Sequence, residues 1–564
     1  MQDTEAKVKK PKVSISKIRF SGGQVFDFED NEKILIVGPN NSGKSEFLRE
    51  VIAIICWQNK QIRFKDNKVV KHLELGKEGS LDDLRAFLEE NAIRKKEQID
   101  YQSYRIHTNN LSHFSQTYLG AVGQIFCKNL GAEGRLSITA VQNGIGADGH
   151  KSKPQHLMYD DQDLMKKISD LFNKSFQQEL FMDYRASPQL PIHVGTPPDI
   201  EKIPNQVSNE YVEEVRKNPR LDGQGDGMRS YAGILFEVVA IEHDITLLDE
   251  PEAFLHPPQM RRLGETLAEE AANQILVSTH SSDILRGFLN GAGGAVRIIR
   301  LQRDNDLNNA TMTSPARINE LWDQPELRYS NALDGIFHEQ VIICEDDSDC
   351  RLNNSIADHL GRIEPQKKWP DTAYIPSGGK SAIPKIAQAL CEMGVTVKVV
   401  ADIDILNDST LLRALIEAVG GEWEAIEGNW NRLDAAVRDG VPALSDDEIG
   451  EKIKVVLDES HGGRIPKSEI QALLRQTSPW AMIKKYGRSH IPRGDAQSLF
   501  EELDEKLREF GVFAVPVGEV ENFCPDVGSH GPKFVSKLFS STPLDDPKLE
   551  DLRSFISKVF GNER

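Results

Sequence analysis

The sequence predicts an α/β protein built from two consecutive domains, and three observations carry that expectation. Short, largely apolar runs at residues 34–37, 245–248 and 340–344 have the length and composition of strands buried on both faces. Each run ends at a glycine-rich turn or at adjacent carboxylates, and most lead into a helix-period segment, as a largely parallel sheet requires. The pattern stops after Leu301 and restarts at Gln340, and 564 residues exceed what one core accommodates.

Composition narrows the class. Apolar residues make up 39% and charged residues 27%, and no run reaches the ~18 uncharged apolar residues of a membrane span. The first twelve residues are polar and lysine-rich, without the apolar stretch of a secretory signal. Six scattered cysteines lack metal-ligand spacing and read as reduced thiols. A cytoplasmic protein with no membrane partner is expected. The net charge of −19 argues against a basic coat for nucleic acid, but leaves room for a local basic groove.

In chain order, residues 12–20 alternate apolar and polar as an antiparallel strand does, and 25–28 form a second short strand. The run 34–37 then feeds Gly38-Pro39-Asn40-Asn41-Ser42-Gly43-Lys44-Ser45, with a helix expected over 46–55. Strand, glycine turn and helix are the context in which G-x-x-x-x-G-K-[ST] cradles phosphates: backbone N–H groups converge, Lys44 reaches the outer phosphates and Ser45 ligates Mg²⁺. Residues 136–142 read as a strand, 144–154 as a loop, 181–185 as a short strand ending in Arg185, and 196–218 as a mobile connection. A glycine–aspartate loop at 222–230 opens an amphipathic helix. The strand 245–248 ends in Asp249 and Glu250, the former suited to hold Mg²⁺ with Ser45 and the latter to polarise water. A helix over 258–273 and a strand over 274–278 lead to His280, placed to sense a γ-phosphate.

These segments resemble an ABC-type ATPase head, most closely the branch of recombination and chromosome-maintenance ATPases. The 226–230 segment departs from the transporter Leu-Ser-Gly-Gly-Gln signature, and no Q-loop glutamine is identified. The resemblance implies ATP held between two protomers of a homodimer, with Asp226, Arg229 and Ser230 of one facing the phosphate loop of the other.

After a last strand at 295–301 and a polar connection at 303–328, the second half places carboxylates at strand ends. Residues 340–344 run into Glu345 and Asp349; 395–401 run into Asp402 and Asp404; 512–517 precede Glu519 and Glu521. Alternate residues of an extended segment share a face, so Asp402 and Asp404 can address one ion. All-oxygen ligands suit Mg²⁺ or Mn²⁺. A strand-end glutamate followed by D-x-D resembles the toprim domain, with Glu345, Asp402 and Asp404 as the matching residues. An ABC-type P-loop ATPase domain followed by a toprim α/β domain with a helical insertion resembles the overcoming-lysogenisation-defect (OLD) family of ATPase–nucleases, which includes the Gabija nuclease subunit and some retron effectors. The resemblance implies that Glu521 completes the metal set and that a downstream lysine, Lys537 or in second place Lys533, stabilises the transition state. It further implies a DNA substrate, a role in anti-phage defence, inhibition by nucleotide, and a partner from the same operon: a retron reverse transcriptase with its nucleic acid, or a helicase.

The expected domains are 1–302, with an inserted segment at about 57–180; a connection at 303–335; and 336–564, with helical insertion at about 408–510. Within that insertion, residues 484–493 form a basic patch with one tyrosine, read as a solvated surface in preference to a phosphate track. Two other functions fit parts of the chain. One is an ABC-type scaffold whose second half binds DNA without cutting; the other is a topoisomerase-like enzyme, for which no nucleophilic tyrosine stands out.

Overall fold

The computed structural model describes residues 8–56, 67–146, 149–203, 205–293, 295–324, 328, 331–442, 444–459, 465–474 and 478–562. Residues 57–66, where the predicted inserted segment begins, lie outside this set. The chain divides into two compact units, Met1–Asp323 and Gln324–Arg564.

Unit 1 opens with β1 (Lys12–Phe20), β2 (Val25–Asp27), β3 (Lys33–Val37), α1 (Lys44–Cys56) and β4 (Val70–Glu78). Further along the chain, the elements that complete the core include β5 (Cys127–Leu130), α2 (Ala132–Ile138), α3 (Asp226–Val238), β6 (Ile245–Asp249), α4 (Pro257–Glu270) and β7 (Gln274–Ser278). It closes with β8 (Val296–Asp304), β9 (Leu307–Thr313) and α5 (Pro315–Trp322). β2-β1-β4 form an antiparallel sheet. The main sheet has the order β9-β8-β3-β7-β6-β5, parallel except for the β8/β9 hairpin. The central strands are buried throughout or nearly so, as their largely apolar runs require. Their side chains join β1, α1 and β4 in one core around Ile15, Ile36, Phe47, Val51 and Leu247.

Four expectations fail in this unit. Residues 136–142 do not form the expected strand: α2 covers 136–138, only Gln142 joins a two-residue strand with Asn143, and the edge of the main sheet is β5. Arg135 and Thr139, four apart, are the buried residues there, so the helical period is carried by polar side chains that an apolar reading passes over. The 196–218 segment is partly ordered, since Ser208 caps a helix over Asn209–Arg216 that packs Tyr211 and Val215 against Phe181. The strand near 181 ends at Met182, and Arg185 bonds Asn209 beyond it. Finally, 303–328 is not a plain connection. β8 runs on to Asp304, and β9 returns along it with only Asn308, Ala310 and Thr313 buried, too few for a polar edge strand to be read from hydrophobicity.

Unit 2 is a four-stranded parallel sheet of order β11-β10-β12-β13, where β10 is Gln340–Cys344, β11 Thr372–Pro376, β12 Thr396–Asp402 and β13 Val512–Val515. Helices α6 (Asp347–Ile363) and α7 (Ile383–Glu392) make the first crossovers. Between β12 and β13 lies the insertion, helical as expected: α8 (Ser409–Ala418), α9 (Glu424–Gly440), α10 (Asp446–Glu459), α11 (Lys467–Leu474), α12 (Pro479–Tyr486) and α13 (Asp495–Glu509). After β13 comes α14 (Pro532–Ser541). β11 lies on one side of β10 and β12 on the other, so the topological switch falls between β10 and β12, where open α/β sheets hold ligands at the carboxyl ends of strands.

Candidate functional sites

In unit 1 the phosphate loop connects β3 to α1. Gly38 has φ 135°, and a Cβ there would lie 2.2 Å from the Leu301 carbonyl oxygen, so only glycine lets the loop pass this close to β8. Lys44 is buried and donates to the carbonyls of Gly38 and Pro39 at 2.8 and 2.9 Å. Burial pulls its pKa down, and Glu250, Glu252 and Asp249 oppose that pull. Its ammonium is thereby held in the loop before any phosphate arrives.

The β6 end stands beside this loop. Ser45 Oγ donates to Asp249 Oδ1 at 3.0 Å, and Ser278 Oγ donates to the same oxygen. A hydroxyl and a carboxylate so paired are the set that would hold Mg²⁺ next to bound phosphates. Glu250 takes φ 47° and its carboxylate lies 3.0 Å from His280 Nε2, which joins the two residues that the sequence placed on different strands. Asn40, Asn41, Lys44, Ser45, Glu250 and His280 line one cleft of about 360 Å³.

Several contributors were not legible in the sequence. Arg135 of α2 is wholly buried and donates to the Asp249 carbonyl at 2.6 Å, the Glu250 carbonyl at 3.0 Å and Ser230 Oγ at 3.1 Å. It thus fixes the backbone of both carboxylates. Glu252 is nearly as buried. It accepts from Thr279 Oγ1 and the His280 N–H, each at 2.8 Å, and burial pushes its pKa up. Arg303 and Asn308, from the segment expected to be a connection, line the phosphate cleft, and Asn308 donates to the Ser42 carbonyl. Of the signature residues, Asp226 and Arg229 pair with each other at 3.1 Å, while Ser230 is turned fully inward onto Arg135.

In unit 2 the switch point gathers the carboxylates. Glu345 follows β10, and its Oε1 accepts the Asp402 N–H at 3.1 Å. Ligand atoms of Glu345, Asp402 and Asp404 lie within 4.8 Å of one another, and those of Glu519, Glu521 and His530 form a second such group. Glu521 therefore stands with the second group, and its Oε1 accepts the Gly531 N–H at 2.8 Å, just before α14. Asp349 serves in the capping box of α6 with Asp346, and it feels the charge of Asp402 from one group and Glu521 from the other. Burial, then Asp346 and Asp402, push Asp349 up to about 8; burial, then Asp402, push Glu345 up to about 7. Burial likewise raises Asp402 and Glu519. Lys533 and Lys537 are exposed on α14, with Lys533 in its first turn.

Two lysines enter this carboxylate cluster. Lys380, in the turn after β11, contacts Asp404 and stands 3.7 Å from Glu345. Lys484 of α12 is not on the solvated surface expected for its patch: it lies 2.5 Å from Asp402 and 3.5 Å from Asp404. Burial alone would lower its pKa, but Asp402, Asp404 and Glu345 together raise it. Three carboxylates that need cationic partners, with no histidine or thiolate among them, fit a hard divalent ion such as Mg²⁺ or Mn²⁺.

Residues 159–286 match a family profile described as "AAA domain, putative AbiEii toxin, Type IV TA system". That span is less than a quarter of the chain and holds Asp249, Glu250 and His280 but not the phosphate loop. With the loop geometry above, it makes unit 1 a P-loop ATPase domain. No curated protein matches the chain. Among solved structures, an SMC head domain from Thermotoga maritima is 11% identical, over 54% of this chain and 100% of that one, with a TM-score of 0.30. An Smc head with an extended coiled coil, bound to the C-terminal domain of ScpA derived from Pyrococcus furiosus, is 12% identical over 55% and 99%, with a TM-score of 0.33. A third, an SmcHead bound to the C-winged helix domain of ScpA, is 14% identical over 53% and 97%, again at 0.33. At such scores the likeness carries no argument. Among the described residues no helix is long and apolar enough to cross a membrane.

Proposed function

We infer that the protein is a nucleotide-regulated, metal-dependent DNA endonuclease of the OLD type, acting in anti-phage defence. The observation that carries the nuclease reading is the meeting of Glu345, Asp402 and Asp404 within 4.8 Å at the switch point of a parallel sheet, with Glu519 and Glu521 in a second group beyond β13. Divalent ions in these groups would activate water and stabilise the leaving oxygen of a phosphodiester. Glu345, Asp402 and Asp404 would hold one ion, and Glu519 and Glu521 the other. The Glu345 contact with the Asp402 N–H holds the two strand ends at fixed spacing. Lys533 and Lys537 stand on the helix that begins beside Glu521, where a cation can meet the charge developing on the phosphate.

In unit 1, Ser45 and Asp249 would hold Mg²⁺ on ATP, Glu250 would orient and polarise the attacking water, and His280 holds the Glu250 carboxylate in place. Two such heads would close on ATP with Asp226 and Arg229 facing the partner's nucleotide, and closure is the event through which nucleotide would control access to the carboxylate cluster. The decisive experiment is Mn²⁺-dependent nicking of plasmid DNA by the parent and by Asp402→Ala. Loss of nicking with ATP turnover intact is expected; persistent nicking in the variant removes this cluster from the chemistry.

A further inference from the structure

The basic patch of the insertion sends one residue, Lys484, into the carboxylate cluster, and the way its helix is seated makes that placement specific. α12 is anchored at its start by Trp480, wholly buried with its indole N–H donating to Asp434 Oδ1 of α9 at 2.8 Å, and by the buried Ile483. Its body packs on the turn Ile403–Asn407, which directly follows Asp402. Its end docks on the loop after β13. Asn522 Nδ2 donates to the carbonyls of Lys484 and Lys485 at 3.3 and 3.2 Å, and the Arg488 N–H donates to the Pro516 carbonyl at 2.8 Å. Gly518, at φ 104°, comes so close that a Cβ would lie 1.9 Å from the Lys484 carbonyl oxygen. The helix is therefore clamped between the D-x-D turn and the segment that bears Glu519 and Glu521.

From this seat Lys484 Nζ lies 2.5 Å from Asp402 Oδ2 and 3.5 Å from Asp404 Oδ1, two of the three carboxylates of the first proposed metal group. A divalent ion bound to Asp402 would sit about 2.0–2.6 Å from the same oxygen. An ammonium and a dication that close to one oxygen repel each other strongly in a half-buried site. We propose that Lys484 is a tethered cation that competes with the divalent ion for Asp402 and Asp404, so that the seating of α12 regulates metal loading of the cluster. Lys380 pairs with Asp404 and Glu345 and does not share the direct Asp402 contact. This rests on the metal-site reading above and adds its regulation.

The test is Mn²⁺ titration calorimetry on the nucleotide-free full-length protein, with Asp402→Asn as the reference that identifies the site. Lys484→Met is expected to bind Mn²⁺ at the Asp402-dependent site at least tenfold more tightly than the parent, and Lys484→Arg to bind like the parent. Lys484→Gln tests the same loss of charge should the Met variant fail to fold. Affinity in the charge-removed variant equal to or weaker than the parent's, at a site that Asp402→Asn abolishes, overturns the competition while leaving the metal site standing. Mn²⁺ binding that Asp402→Asn leaves untouched, or no binding in any of these proteins, overturns both.

Discussion

The two sites meet the same electrostatic problem in different ways. Around Asp249 the partners are neutral hydroxyls, Ser45 and Ser278, and the nearby ammonium of Lys44 is held on backbone carbonyls. A cleft of about 360 Å³ stays open above it. Around Asp402 and its neighbours the partners are ammonium groups, Lys484 on Asp402 and Asp404 and Lys380 on Asp404 and Glu345, among carboxylates whose burial raises their pKa. The first site is arranged so that an anion with its metal can enter with little rearrangement. The second has much of its charge met from within by two lysines, so the metal proposed there would have to displace one of them. Preorganisation of this kind makes the ATP site legible as a finished device, whereas the carboxylate cluster is a site with a condition attached.

Separating the two by mutation should give the largest effects. Lys44→Ala is expected to remove ATP turnover while Mn²⁺-dependent cleavage survives, and Asp402→Ala to do the reverse; paired ATPase and nicking assays check both. Loss of both activities in either variant would mean that the sites are not separable as described. If nucleotide state gates the nuclease, ATP should change the cleavage rate of the parent and leave that of Lys44→Ala unaltered.

Next in size is Glu250→Gln, which keeps the hydrogen-bonding shape but loses the charge that polarises water. Single-turnover hydrolysis should slow by roughly tenfold or more with ATP binding retained. Unchanged hydrolysis would assign the water to another group.

Arg135→Met sharpens the comparison from the structural side. It removes a buried guanidinium that holds the carbonyls of Asp249 and Glu250, each bond to a charged donor contributing on the order of 1.5–3 kcal/mol. A lower melting temperature for unit 1 and a reduced hydrolysis rate are expected together. A variant that melts earlier yet hydrolyses ATP normally would show that Arg135 only stabilises the fold.

The smallest effect separates the sites by pH. Glu345 and Asp349, raised to about 7 and about 8, bind their protons more tightly when folded than when unfolded. Their contribution to stability is therefore present at low pH and is lost as pH rises from the ordinary carboxylate range through 7 and 8. A divalent ion neutralises the same charges, so the rise in melting temperature of unit 2 on adding Mn²⁺ should be larger at pH 8 than at pH 6. An equal rise at both values would contradict the charge crowding on which the comparison rests.

What the sequence determined by itself was the local machinery. The strand–glycine–helix context of residues 38–45, the Asp249–Glu250 pair and the strand-end positions of Glu345, Asp402 and Asp404 follow from periodicity and spacing within short windows, and the α/β class follows with them. The tertiary structure alone decided which distant residues support them. Arg135 and Thr139 are polar residues buried at helical spacing, so the helix there reads as nothing in an apolar pattern. Asn308 and Arg303 reach the phosphate cleft from an edge hairpin too polar to be recognised as strand. Lys484 looks like one more surface lysine until α12 is clamped onto Gly518 and Asn522 and turns it toward Asp402. The reason is common to all three. A charged or polar side chain carries no mark in sequence of the partner that lets it be buried, because that partner arrives from another element hundreds of residues or a whole insertion away.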